Sequence, residues 1–266
     1  MNQKYVLGLS SIRRVKRREV LGFIGSAAVF SLVGCQREDS TADVSAAGSS
    51  AQPVAASTTT KETAAVDLPS CIVSPQQTEG PYFVDAGLDR SDIRSDPSDD
   101  SVREGVPVRL VLRVSQVSAG TCTPMEGAVV ELWHCDAEGV YSDVRDRGVS
   151  TVGQKFLRGS QITHSDGTVE FTTIYPGWYP GRAVHAHFKV RNSTAPEGYE
   201  FTSQLYFDDA LSDQVYAQAP YSSRGKQDMR NERDRIYQDG GEQLTLQLTP
   251  EGAGYRGTFN IGLQIS

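Results

Sequence analysis

Histidine is scarce in this chain: four residues among 266, all between His134 and His187. Any histidine-based chemistry must sit in that central stretch. Acidic residues are missing from 176–191, the segment that carries His185 and His187 one residue apart. No local carboxylate is therefore available to complete a two-histidine, one-carboxylate ferrous site, or to serve zinc as a third ligand. Basic residues are also in deficit. The chain's formal charge is −7, yet the first 34 residues hold six basic groups (Lys4, Arg13, Arg14, Lys16, Arg17, Arg18) against Glu19. That leaves −12 on the remainder, which excludes the basic footprint that nucleic-acid binding needs. Large apolar residues are almost absent from 36–68, so that stretch cannot bury enough surface to fold. No internal repeat is present, which argues against a solenoid.

The N-terminus reads as an export signal over residues 1–34. A basic region runs to Arg18, and the apolar "VLGFIGSAAVFSLVGC" that follows is too short for a comfortable transmembrane helix. "KRREVLGFIG" resembles a twin-arginine signal, and "LVGC" resembles a lipobox with Cys35 as the lipidated residue. Residues 35–70 then form a flexible tether, and 71–266 the folded domain. The expected location is outside the cytoplasm, with the membrane reached only through a lipid on Cys35.

From Cys71 onward the text is strand-like. "VPVRLVLRV", "GAVVELWHC", "GTVEFTTIYPG", "AVHAHFKVR", "FTSQLYF", "EQLTLQLTP" and "YRGTFNIGLQI" are short apolar runs, most of them alternating, separated by Gly, Asp and Pro. They predict an all-β protein, an antiparallel β-sandwich. One charged segment, about Lys226–Tyr237, reads as a solvated helix or a loop. Among the cysteines, Cys71–Cys122 is the expected disulfide, because both flank strand-poor segments, and Cys135 is an expected buried thiol.

On a strand, His185 and His187 would project to one face. By themselves they could be a metal site or two ordinary strand histidines. Tyr175, Trp178, Tyr179 and Arg182 lie just upstream. Phenolate is a hard anionic ligand suited to a hard trivalent cation, although any single tyrosine is more simply a half-buried aromatic with a satisfied hydroxyl. His134 and His164 are read as structural, His134 with a possible supporting place behind the metal.

Four motifs in order, "TEGPYF" (78–83), "VELWHCDAEGVYSD" (130–143), "LRGSQITHSDGTVEFTTIYPGWYPGRAVHAHFKV" (157–190) and "TSQLYFDD" (202–209), resemble the intradiol ring-cleavage dioxygenases, and most of all their protocatechuate 3,4-dioxygenase-like branch. The resemblance implies a sandwich of the intradiol type and a non-haem Fe(III) held by Tyr141, Tyr179, His185 and His187. It further implies Arg182 and Gln204 as catalytic groups beside Tyr179, with a small-molecule catechol and O2 as reactants and a cis,cis-muconate-type diacid as product. Gly80, Pro81, Tyr82 and Trp178 become candidates for the substrate pocket. Tyr175 matches no ligand position. The loop between Tyr179 and His185, "PGRAV", is shorter than in the familiar soluble members, and the long helical N-terminal segment of catechol 1,2-dioxygenases is lacking, so no dimer is assigned. Two other readings compete: a non-catalytic surface-tethered binding sandwich, and a cupin-like Zn or Cu site at the histidine pair.

Overall fold

The computed structural model describes residues 72–192 and 198–265. The export signal, the tether, Cys35 and Cys71 lie outside them. Eleven strands and one α-helix are found there: β1 (Pro107–Ser118), β2 (Thr121–Pro124), β3 (Ala128–Trp133), β4 (Arg145–Asp146), β5 (Val149–Ser150), β6 (Arg158–Ile162), β7 (Thr168–Ile174), β8 (His185–Asn192), β9 (Glu200–Tyr206), α1 (Asp209–Tyr216), β10 (Leu248–Glu251) and β11 (Gly254–Leu263). Among these residues no helix is long and apolar enough to cross a membrane.

Two sheets form the sandwich. One has the order β10-β11-β1-β2, with β7 pairing the other end of β1; the second has the order β6-β3-β8-β9. The core lies between them. Val108, Leu110, Leu112 and Val114 of β1 and Ile261 and Leu263 of β11 meet Val130 and Leu132 of β3, Ala186, Phe188 and Val190 of β8 and Leu205 of β9. These residues alternate along their strands, as a sheet with one face on the core requires. One pair departs from the antiparallel expectation: β1 and β11 run parallel, from Val108 opposite Tyr255 to Gln116 opposite Leu263.

One other expectation changes, and one open choice is decided. The alternation of Leu244, Leu246 and Leu248 does not make one strand; Gly241–Leu244 turns as a 3-10 helix, Thr245 makes an isolated parallel bridge to Tyr206, and strand pairing with β11 begins only at Leu248. Apolar side chains at every second position satisfy either geometry when both sides meet the core. Over 226–237 the chain is irregular with one 3-10 turn, Asn231–Arg233, so of the two readings of this charged segment the loop holds. The α-helix begins earlier, at Asp208, whose carboxylate caps Leu211 N–H at 2.8 Å. Cys122 is disulfide-bonded, while Cys135 is free and buried and donates its S–H to Gly177 O at 3.2 Å.

The second sheet matters most for function. In β8 the side chains opposite to Ala186, Phe188 and Val190 are His185, His187 and Lys189, which therefore point away from the sandwich core. The register places Trp133 and Gln204 on either side of His187, and Tyr206 beside His185. This outer face would normally meet water, yet His185, His187 and Lys189 are buried. Residues 74–83 cover it. Tyr206 Oη donates to Gln77 Oε1 at 2.9 Å, Gln77 N–H to Thr202 O at 2.9 Å and Gln204 Nε2 to Thr78 O at 2.8 Å. Lys189 Nζ then ties the strap down through Glu79 at 2.6 Å and lies 3.9 Å from the centre of the Phe83 ring.

Candidate active site

A second apolar cluster, separate from the sandwich core, marks the site: Trp133, Cys135 and Tyr141, with Tyr82, Phe83, Val144 and Tyr179 packed against them. Trp133 stacks on His187, with ring planes 5° apart and centroids at 5.0 Å. Tyr82 stacks on Tyr141 at 4.7 Å.

Three donor atoms converge in this cluster. His185 Nε2 is 3.1 Å from His187 Nε2 and 3.3 Å from the Tyr141 hydroxyl. The His185 ring is set by its other nitrogen, which donates to Ala183 O at 2.6 Å. That bond leaves Nε2 with its lone pair facing the other two groups. Tyr141 is held through its backbone: its carbonyl accepts from Thr151 Oγ1 at 2.7 Å, and the next residue, Ser142, is pinned by Arg158 Nε and Nη2.

Tyr179 joins through its ring, with its centroid 6.0 Å from that of Tyr141. Its hydroxyl is engaged elsewhere. It lies 2.5 Å from the Tyr82 hydroxyl and donates to Asp146 Oδ2 at 3.1 Å. Asp146 reaches that place on the β4–β5 hairpin, whose two-residue turn has Arg147 and Gly148 at φ +48° and +83°. The same turn lays the Arg147 guanidinium 4.9 Å from the Tyr179 ring centre. A cleft of about 140 Å³ opens here between Tyr141, Val144, Asp146, Arg147, Tyr179 and Arg224.

The electrostatics suit a cation. Burial, followed by the nearby Arg182 charge, pushes the His185 imidazole down to about 3, and burial also drives His187 well below its ordinary value. Burial lifts the Tyr141 phenol well above its usual range. Without a metal all three groups stay neutral; a trivalent ion would reverse the balance for the phenol. His187 Nδ1 is buried with no hydrogen-bond partner. Among the described residues no group of three His, Cys, Asp or Glu is placed to hold a metal. The donors at hand are thus two neutral imidazoles and phenolic oxygen, a set that fits ferric iron and lacks the third ligand that a Zn or Cu reading would draw from those residue types.

Arg182 has a partner that the local sequence did not reveal. Its Nε donates to Asp234 Oδ2 at 2.8 Å and its Nη2 to Gln204 Oε1 at 2.7 Å. Gln204 is fully buried. The charged segment 226–237 thus cradles the 180–184 loop, since Asp228 also accepts from Gly181 N–H at 3.1 Å. Sequence reasoning missed Asp146, Asp228 and Asp234. The only available signal for Asp146 was the Arg-Gly turn after it; the other two lie some fifty residues from the loop they hold.

Of the pocket candidates, Tyr82 is in the cluster, and a Cβ on Gly80 would lie 3.3 Å from His187 Cε1. Pro81 is exposed. Trp178 does not line the cleft: it packs against Arg224, whose guanidinium is 4.0 Å from the ring centre, and donates to Gly225 O. Tyr175 lies in the sandwich core, its hydroxyl 2.8 Å from Ser212 Oγ. Both nitrogens of His134 are occupied, by Cys135 O and Thr173 Oγ1, and His164 is exposed in a turn.

Residues 78–247 match a protein-family model described as Dioxygenase. An intradiol ring-cleavage dioxygenase from Tetranychus urticae has a similar structure, with a TM-score of 0.63 and 30% identity over 73% of this chain and 95% of that one. A protocatechuate 3,4-dioxygenase beta chain from Burkholderia cepacia is 27% identical over 64% of this chain and 71% of its own length. A chlorocatechol 1,2-dioxygenase from Pseudomonas putida is 27% identical over 49% of this chain, which spans about half of that relative (52%). With the family match covering the strap from residue 78, both tyrosines, both histidines, Arg182 and Gln204, this chain belongs to the intradiol ring-cleavage dioxygenases.

Proposed function

We propose that the protein is a ferric dioxygenase that cleaves a catecholic aromatic between its two hydroxylated carbons, consuming O2 and yielding a cis,cis-muconate-type diacid. The observation that carries this reading is the convergence of Tyr141, His185 and His187 on one point with no carboxylate among them. Tyr141, Tyr179, His185 and His187 would hold the metal. Fe(III), when bound, supplies a Lewis acid for catecholate oxygens and a route by which the ring becomes reactive toward O2.

The protein's own groups do the rest. Arg182, fixed between Asp234 and Gln204, presents a guanidinium where negative charge develops on the ring, an electrostatic contribution that needs no reorganisation. Tyr179 donates to Asp146, so the proton in its 2.5 Å contact comes from Tyr82. This Tyr82–Tyr179–Asp146 chain can hold or accept a proton at the Tyr179 oxygen while a catechol loses its own. Strap 74–83 excludes water from the histidine side.

The enzyme is further proposed to act outside the cytoplasm, carried there by the twin-arginine signal and held to a membrane by lipid on Cys35, which the order of basic, apolar and small residues in 1–35 supports. Metabolic labelling with a radioactive fatty acid tests this: Cys35→Ala should lose the label and leave the membrane fraction.

The central test is optical. Protein purified from iron-sufficient cells should be burgundy, from phenolate-to-iron charge transfer, and should convert one or more of catechol, protocatechuate, hydroxyquinol and chlorinated catechols to ring-opened diacids. A colourless, iron-free preparation would sink the proposal.

A further inference from the structure

Asp234 makes more contacts with this site than a surface ion pair would require. Its carboxylate is 2% exposed. Oδ2 accepts from both Arg182 Nε and Ala183 N–H, each at 2.8 Å, while Oδ1 accepts from Ile236 N–H at 2.8 Å. Ala183 O in turn accepts from His185 Nδ1 at 2.6 Å. Residue 183 is therefore gripped on one side by Asp234 and grips His185 on the other. We propose that Asp234 is a positioning residue for ring cleavage: a single carboxylate oxygen fixes the Arg182 guanidinium and, through Ala183, the His185 ring. The proposal rests on the functional reading above.

The physical case is one of freedom removed. Arg182 has four rotatable side-chain bonds, and its side chain is 19% exposed, so one hydrogen bond to Gln204 would leave its Nε arm free to swing. Displacing a charge-stabilising group by about 1 Å can cost on the order of a hundredfold in rate. A bidentate hold, Nε on Asp234 and Nη2 on Gln204, defines the guanidinium plane. The carboxylate itself can stay charged while buried, because these donors and the Arg182 charge outweigh desolvation. The competing possibility is a plain staple between two loops. A staple would act on stability whatever residue stood at 182.

A double-mutant cycle with Asp234→Asn and Arg182→Gln separates the two. Asp234→Asn should keep its iron and its visible band, and lower kcat by about ten- to a hundredfold with little change in KM. In the Arg182→Gln background the same change should lower kcat by clearly less, leaving only the part carried through Ala183 to His185. An equal loss in both backgrounds, or none in either, overturns the proposal. A second measurement needs no iron. In 15N-resolved NMR of the metal-free protein, the Arg182 Nε–H signal, assigned by its loss in Arg182→Gln, should exchange slowly, and in Asp234→Asn it should shift and exchange fast. An unchanged signal overturns the proposal as well. If Asp234→Asn does not fold, Asp234→Glu retains the charge with the carboxylate displaced by a methylene, and should give intermediate values of both readouts; wild-type values would count against the proposal. Should the iron-loaded wild type cleave no catechol, the functional reading fails, while the NMR comparison still decides whether Asp234 holds Arg182.

Discussion

The hydroxyls of Tyr82 and Tyr179 lie 2.5 Å apart, and Tyr179 donates onward to Asp146 at 3.1 Å, so a strap residue, a loop residue and a hairpin residue share one directed proton chain. Burial and the bond to Tyr179 both raise the Tyr82 phenol above its usual range, which keeps Tyr82 the donor. Tyr82→Phe removes that donor without emptying the ring stack on Tyr141. Each of Tyr82→Phe and Asp146→Asn should lower kcat roughly tenfold, the worth of about one charge-assisted hydrogen bond, with iron content retained. Steady-state kinetics alongside metal analysis checks this; unchanged kcat in both variants would remove the chain from the mechanism.

Tyr141 and Tyr175 are both buried tyrosines, but only Tyr141 faces the histidines. Tyr141→Phe should lose most of the iron or displace the visible band strongly, and abolish measurable turnover. Tyr175→Phe should leave the spectrum in place and cost about 1 kcal/mol of stability through its bond to Ser212. Absorption spectra and urea midpoints of the two variants separate a ligand from a core residue.

Gly80 sits at φ +72°, and a methyl there would come within 3.3 Å of His187 Cε1. Gly80→Ala therefore carries about 1–2 kcal/mol of backbone strain and presses on an imidazole proposed to hold the metal. It should weaken iron retention against a chelator several-fold. Iron release at the wild-type rate would show that the strap can shift without disturbing His187.

His134 supplies a pH dependence away from the proposed ligands. Burial pushes its imidazole down to about 4, so it is neutral in the folded chain. The unfolded chain takes up a proton below the ordinary value of about 6.5. Stability is thus lost as pH falls from about 6.5 to about 4, by up to tenfold in the folding constant per pH unit from this group, and the loss levels off below that. In metal-free protein His185 and His187 add to the same slope. His134→Gln should flatten the pH dependence of the urea midpoint across that window by one proton's share, whereas an unaltered slope would contradict the burial argument.

Much of this protein was legible along the chain. Alternation in "VPVRLVLRV", "AVHAHFKVR" and "YRGTFNIGLQI" determines strands because a pleated backbone sends neighbours to opposite faces, and alternate apolar residues of these runs fill the core between the sheets. The same period puts His185 and His187 on one face, and the motif order carries the family. Chain order cannot say which strands run parallel, because β1 and β11 meet across most of the domain. It cannot tell a strand from a 3-10 turn at Leu244, where alternation serves both. Above all, it cannot show which distant acid meets which base. Asp146, Asp228 and Asp234 look like solvated charges in charged segments, and only the folded chain brings them to Tyr179, Gly181 and Arg182. Side-chain identity sets what chemistry is available; closing long loops over the outer face of one sheet decides which of those groups share a water-poor site.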